Sequence, residues 1–157
     1  MKNSRGTTAI EFALVLPVFA FLIFAIFDMG YYMFVQNTLQ YATVEGARLA
    51  MVGGTLNGSN GSPLSRAASI TQEIENVADL AGISSAALQI SIFPITSTYS
   101  DPTGWNGEQN AGNPGDYMRV VTSYTYTFLT PFMGQFFPNG VSTITAQTTY
   151  RNELFSD

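Results

Sequence analysis

Glu11 is the ionisable residue in the most demanding position. It opens a stretch with no further charge until Asp28, and Gly6 stands five positions before it. A carboxylate at the lip of an apolar helix is costly, on a scale of about 2.5–3.5 kcal/mol at a bilayer centre. Such a residue tends to have a partner. Cleavage after Gly6 would create one, the new amine of Thr7. In an assembly, the amine of one subunit can also meet the carboxylate of the next. Glycine at the cut suits a protease that needs close backbone access at a membrane face. A glutamate snorkelling at the membrane boundary is the plainer reading of the same residues.

Three other groups invite a chemical reading. In Glu45-Gly46-Ala47-Arg48 the small residues remove bulk where another backbone could approach, and Glu45 and Arg48 can clamp neighbouring groups. Internal packing and subunit contact both remain open there. Asp28 sits where the apolar run ends, either as a solvated boundary charge or as a partner contact. Between Asp101 and Asp116 stand six oxygen-bearing side chains, Asp101, Asn106, Glu108, Asn110, Asn113 and Asp116. Calcium takes six to eight oxygens in a compact loop, but Thr103 and Trp105 break the EF-hand spacing. A glycosidase carboxylate pair with Trp105 as sugar platform is the weaker alternative. An ordinary solvated loop is the preferred reading. Exposed Trp105 and the Phe-rich 132–137 segment read as loop anchors or as a contact surface for another protein.

Composition removes most catalytic options. The 157 residues contain no cysteine and no histidine. Thiolate nucleophiles, Cys/His zinc sites, disulfides and Ser-His-Asp triads are excluded together. Lys2 is the one lysine, so a Ser-Lys dyad in the body of the chain is excluded too. With a net charge of −5 and isolated arginines, the chain has no cluster to displace counterions from a polyanion. Neither an enzyme nor a nucleic-acid binder is expected, and no cofactor.

The elements that must position these residues follow from periodicity. From Phe12 to Val35 the one charge is Asp28. At ~1.5 Å per residue this run is long enough for a ~30 Å hydrocarbon core. A cleaved secretory signal competes, but the run is too long and lacks an A-x-A-like site at its end. Lys2 and Arg5 precede the run, so the positive-inside rule leaves the N-terminus in the cytoplasm and sends the rest across. Pro17 should bend the helix. Apolar residues then continue at steps of three and four (Tyr31, Val35, Leu39, Ala42, Gly46, Leu49) until Gly53-Gly54. One helix over about residues 8 to 52 is predicted.

Ser62-Pro63 reads as the N-cap and first residue of a second helix, with a stripe of Ala67, Ile70, Ile74, Val77 and Ala81 closed by Gly82. The period then changes to two. Strands are predicted at Leu88–Ile92, at Met118–Phe128 and at Val141–Arg151. One apolar face suits an antiparallel sheet wet on its other side, covered by the amphipathic half of the first helix. The expected class is α+β and pilin-like. Residues 1–6 form a candidate leader, 7–52 the N-terminal helix with its membrane part at about 12–35, and 53–157 an extracytoplasmic α+β domain.

The stretch from Arg5 to Ala50 resembles the TadE/TadG-like family of the tight-adherence (Tad, or Flp) pilus systems. The residues carrying the resemblance are Gly6, Glu11-Phe12, Pro17, Asp28, Gly30 and Glu45-Gly46-Ala47-Arg48. A weaker likeness covers Asp116–Tyr126 and Leu129-Thr130-Pro131-Phe132. Gly6 followed by Glu11 is similar to the processing site of type IV prepilins, although Phe12 stands where Tad pilins usually carry tyrosine. The resemblance implies a membrane-anchored pilin-like subunit or pseudopilin of a bacterial cytoplasmic membrane. Gly6 and Thr7 would flank the cut of a prepilin peptidase. Glu11, Phe12, Asp28, Glu45, Gly46 and Arg48 would contact other pilin-like subunits and the Tad assembly machinery. A membrane-tethered extracytoplasmic binding module that never enters a filament is the alternative.

Overall fold

A computed structural model describes residues 4–155, with side chains from Thr7 onward. Helix α1 runs from Ser4 to Met51, α2 from Arg66 to Asp79 and β1 from Leu88 to Pro94. Strand β2 covers Tyr117–Thr127, a single turn α3 covers Pro131–Gly134, and β3 covers Val141–Arg151. The class is α+β. Lys2 lies outside the described residues. Two compact units are present: residues up to Met33 with Thr127–Ser142, and Phe34–Tyr126 with the chain from Thr143 onward.

In the larger unit, the three strands form one antiparallel sheet in the order β1-β2-β3. Leu88 pairs with Tyr124 and Pro94 with Met118, which fixes the β1–β2 register. Met118, Val120, Tyr126, Ile144, Ala146 and Tyr150 are buried, as the period of two requires. From α1, this unit takes Val35, Leu39, Ala42 and Ala50, all buried. Gly46 is buried as well, and a Cβ there would lie 2.5 Å from Ile74 Cγ1 and 3.2 Å from the Ile70 carbonyl of α2. Ile70, Ile74 and Ala78 complete the α2 side of that core.

Two expectations are corrected. Helix α2 begins three residues after the Ser62-Pro63 signal, with Ser65 as N-cap accepting from the Ala68 N–H at 3.2 Å. Pro63 instead bridges Asn57, with Leu64 N–H donating to the Leu56 carbonyl at 2.8 Å. Residues 56–64 turn back on themselves before the helix can start.

The second correction concerns the sheet's far face. Phe93, Ile95 and Val121 form a small second core with Trp105 and Tyr117 packed against it. Trp105 is half-buried, its ring centroid 5.2 Å from that of Phe93. The 99–116 connection supplies this cover and is tied down along its length. Gly107 N–H donates to Ser91 Oγ at 2.9 Å, and Ile92 N–H to the Glu108 carbonyl at 2.8 Å. Buried Asn152 donates to the carbonyls of Ala111 and Asn113 at 3.0 and 2.8 Å.

Candidate functional site

The smaller unit combines the apolar part of α1 with the segment that returns after β2. Its organising residue is Asp28, which is 1% exposed. Burial of a carboxylate demands donors, and one turn of the chain brings three to Asp28. Oδ1 accepts from the Leu129 N–H at 3.0 Å, and Oδ2 from the Thr130 N–H at 2.9 Å. Oδ2 also accepts from the Thr130 hydroxyl at 2.6 Å. The same hydroxyl accepts from the Met133 N–H at 3.4 Å, so Thr130 is the N-cap of α3 with Pro131 behind it. Asp28 is therefore neither a solvated charge nor a surface left for a partner; it holds a turn of its own chain.

Aromatic packing extends the attachment on both sides of this clamp. Tyr32 stacks on Phe128 with centroids 6.0 Å apart, and Phe128 on Phe137 at 4.2 Å. The rings of Phe21 and Phe132 meet edge to face, and Phe132 and Phe136 lie 5.0 Å apart. An apolar recess of about 350 Å³ lies between Phe21, Phe24, Ala25, Leu129, Pro131 and Phe132. The 132–137 segment is thus a loop anchor on α1, while Leu129 and Phe136 keep 63% and 67% of their surface exposed.

The other expected site residues are placed as follows. Gly6 is within the backbone of α1, and Thr7, Glu11 and Phe12 are exposed on that helix. Thr7 and Glu11 are four residues apart, so they lie on one helix face. Arg48 donates to Glu45 at 3.0 Å on the surface, and Gly46 makes the internal contact with α2. The four-residue motif therefore separates into a packing glycine and an outward ion pair. In the 101–116 loop, Asp101 pairs with Arg119, and Asp116 accepts from the Asn113 N–H at 2.7 Å. Among the described residues no three of these carboxylates gather as a metal site.

The exposed circumference of α1 over Phe12–Phe27 is continuous and free of charge, with Leu14, Val15, Val18, Phe19, Ile26 and Phe27 all open. A helix of this length and composition can cross a membrane. The family model described as TadE-like protein matches residues 6–48. The chain carries a TadE-like domain. The matched segment begins at Gly6 and ends at Arg48, so the TadE-like domain includes Glu11, Asp28 and the Glu45–Arg48 motif. It associates the chain with the Tad pilus system in general, and its apolar helix fits a single-pass membrane anchor. Neither a curated protein nor a solved structure matches the chain.

Thr130 is the functional residue that sequence reasoning missed as Asp28's partner. Thr-Pro before an apolar stretch is an N-cap signal, but nothing in a single sequence relates it to an aspartate 102 positions earlier.

Proposed function

We propose that this chain is a non-catalytic, membrane-anchored pilin-like subunit or pseudopilin that takes part in assembly of a Tad pilus. The observation that supports it is the TadE-like match over an exposed apolar helix opened by Glu11. A helix whose lipid-facing surface carries a carboxylate at its entrance needs a complementary amine nearby. In this reading the amine is that of Thr7 after cleavage at Gly6, either within one subunit or between neighbours. Helices pack side by side in the membrane through close contact rather than hydrophobic transfer. The absence of cysteine and histidine from the sequence supports a structural role over catalysis.

The same reading orients the chain with its N-terminus in the cytoplasm and residues beyond about 55 outside it. Protease added to spheroplasts should degrade the C-terminal domain, and full protection would reverse the orientation. Intact mass should show loss of residues 1–6 in cells with an active prepilin peptidase, and Gly6→Leu should abolish that loss. Full-length protein in such cells would leave an unprocessed anchor and defeat the pilin-type pairing within a subunit.

A further inference from the structure

We infer that the Leu129–Phe137 segment enters the extracytoplasmic leaflet of the membrane beside α1, as a second membrane contact of this chain made by a loop and a single helical turn. The inference rests on the anchor reading of α1. Its first support is position. The charge-free stretch of α1 runs from Phe12 to Phe27, and Phe132 lies against Phe21, six residues inside that stretch. Six residues correspond to about 9 Å along a helix axis. Phe132 also shares a shallow apolar recess with Pro17 and Val18, further toward the N-terminus. Placing the charge-free stretch in hydrocarbon therefore places Phe132 there as well.

The second support is composition. From Thr127 to Ser142 the sequence holds no charged residue and four phenylalanines. Leu129 and Phe136 project their side chains outward rather than into the unit. An exposed apolar loop continuous with a lipid-facing helix has lipid as its matching environment.

The third support is the backbone. Non-helical chain at membrane depth is tolerated only when its polar groups are satisfied by protein. Here the N–H groups of Leu129 and Thr130 donate to Asp28, and that of Met133 to Thr130 Oγ1. Those of Gly134, Gln135, Phe136 and Phe137 donate to carbonyls within the segment at 3.1–3.3 Å. Pro131 and Pro138 have no N–H to satisfy. A loop built for water has no need of this economy. Asp28, just beyond the charge-free stretch, then takes up the two backbone donors at the point where the loop re-enters the apolar layer.

Depth-dependent fluorescence quenching tests the inference on the full chain in phosphatidylcholine/phosphatidylglycerol vesicles carrying brominated acyl chains. Trp105→Phe removes the native tryptophan, and Phe136→Trp or Phe19→Trp then provides a single reporter. The Phe19→Trp chain reads the anchor, and the Phe136→Trp chain reads the loop. Quenching of both reporters is expected, with Phe136→Trp quenched more by bromines near the headgroup than by bromines near the chain end. Quenching of Phe19→Trp without quenching of Phe136→Trp would overturn the loop proposal and leave the anchor intact. Absence of quenching in both would overturn the anchor and the loop together. A blue-shifted Phe136→Trp emission that lipid bromines do not reach would assign the patch to a second copy or another subunit, and would also overturn the proposal.

Discussion

Asp28 and Thr130 share one carboxylate oxygen: Oδ2 accepts both the Thr130 N–H at 2.9 Å and the Thr130 hydroxyl at 2.6 Å. Hydrogen bonds to an ionised group are the stronger kind, and a buried donor left without its acceptor costs its full desolvation. Asp28→Ala orphans two backbone donors and should weaken the smaller unit by about 2–4 kcal/mol. Thr130→Val keeps the shape and loses one bond plus the cap on Met133, for a cost of about 1 kcal/mol. Hydrogen exchange at Leu129 and Thr130 in detergent checks both. Faster exchange in Asp28→Ala than in Thr130→Val is expected, and unchanged exchange in Asp28→Ala would refute the clamp.

Gly46 has no room for a side chain, since its Cβ would meet Ile74 Cγ1 at 2.5 Å. Overpacking a closed helix contact costs about 1–3 kcal/mol. Gly46→Ala should lose stability in that range in chemical denaturation. Ile74→Ala opens the same space, so the double variant should be more stable than the sum of the singles by about 1 kcal/mol. Strict additivity would mean that α1 and α2 do not meet there in solution.

The far-face cover makes a separate test. Trp105→Ala strips the lid from Phe93, Ile95 and Val121 and should cost about 2 kcal/mol, less than a fully buried tryptophan because the ring is half-open. Protease sensitivity of residues 99–116 should rise with it. A change without effect on either measure would return that connection to a solvated loop.

Tyr150 carries a buried hydroxyl with no hydrogen-bond partner. Burial raises its pKa well above the ordinary 10.0, with Arg66 opposing the shift. The raised value belongs to the folded state, so the unfolded chain releases its proton first as pH rises. The contribution is complete below pH 10.0 and declines above it. Urea unfolding should therefore show stability falling above pH 10.0, with a shallower fall in Tyr150→Phe. At neutral pH the same substitution should be neutral or stabilising, because it removes an unsatisfied buried hydroxyl. A large neutral-pH loss would contradict this.

Local signals carried much of the architecture. The 3.6-residue period of α1, the glycines after Met51 and the period of two in β2 and β3 are properties of adjacent residues, and the elements follow them. Ser62-Pro63 and Ser65 are both good caps for α2, and a tertiary pairing of Pro63 with Asn57 selects between them. Ser91 reads as a solvent-facing strand residue, yet Gly107 N–H covers it, through a loop sixteen positions away. Asp28 is legible as a conspicuous charge, whereas its partner belongs to a turn brought to it only by the return of the chain after β2. Side-chain type announces a need for donors; topology decides which donors arrive.

Whether Glu11 serves assembly rather than anchoring is decided by crosslinking from its neighbour. Phe12 is 65% exposed, so a photo-crosslinking residue placed there should report what faces α1 in the membrane of living cells. With Glu11 present, adducts to other pilin-like subunits are predicted, together with wild-type piliation. In Glu11→Ala, membrane insertion and the fold of residues 55–157 should be unchanged, because a charge has only been removed from an apolar helix. The adducts and the pili should be lost, because a partner amine is left without its carboxylate where the dielectric is low. Unchanged adducts and full piliation in Glu11→Ala would contradict the account and leave the chain a tethered extracytoplasmic module.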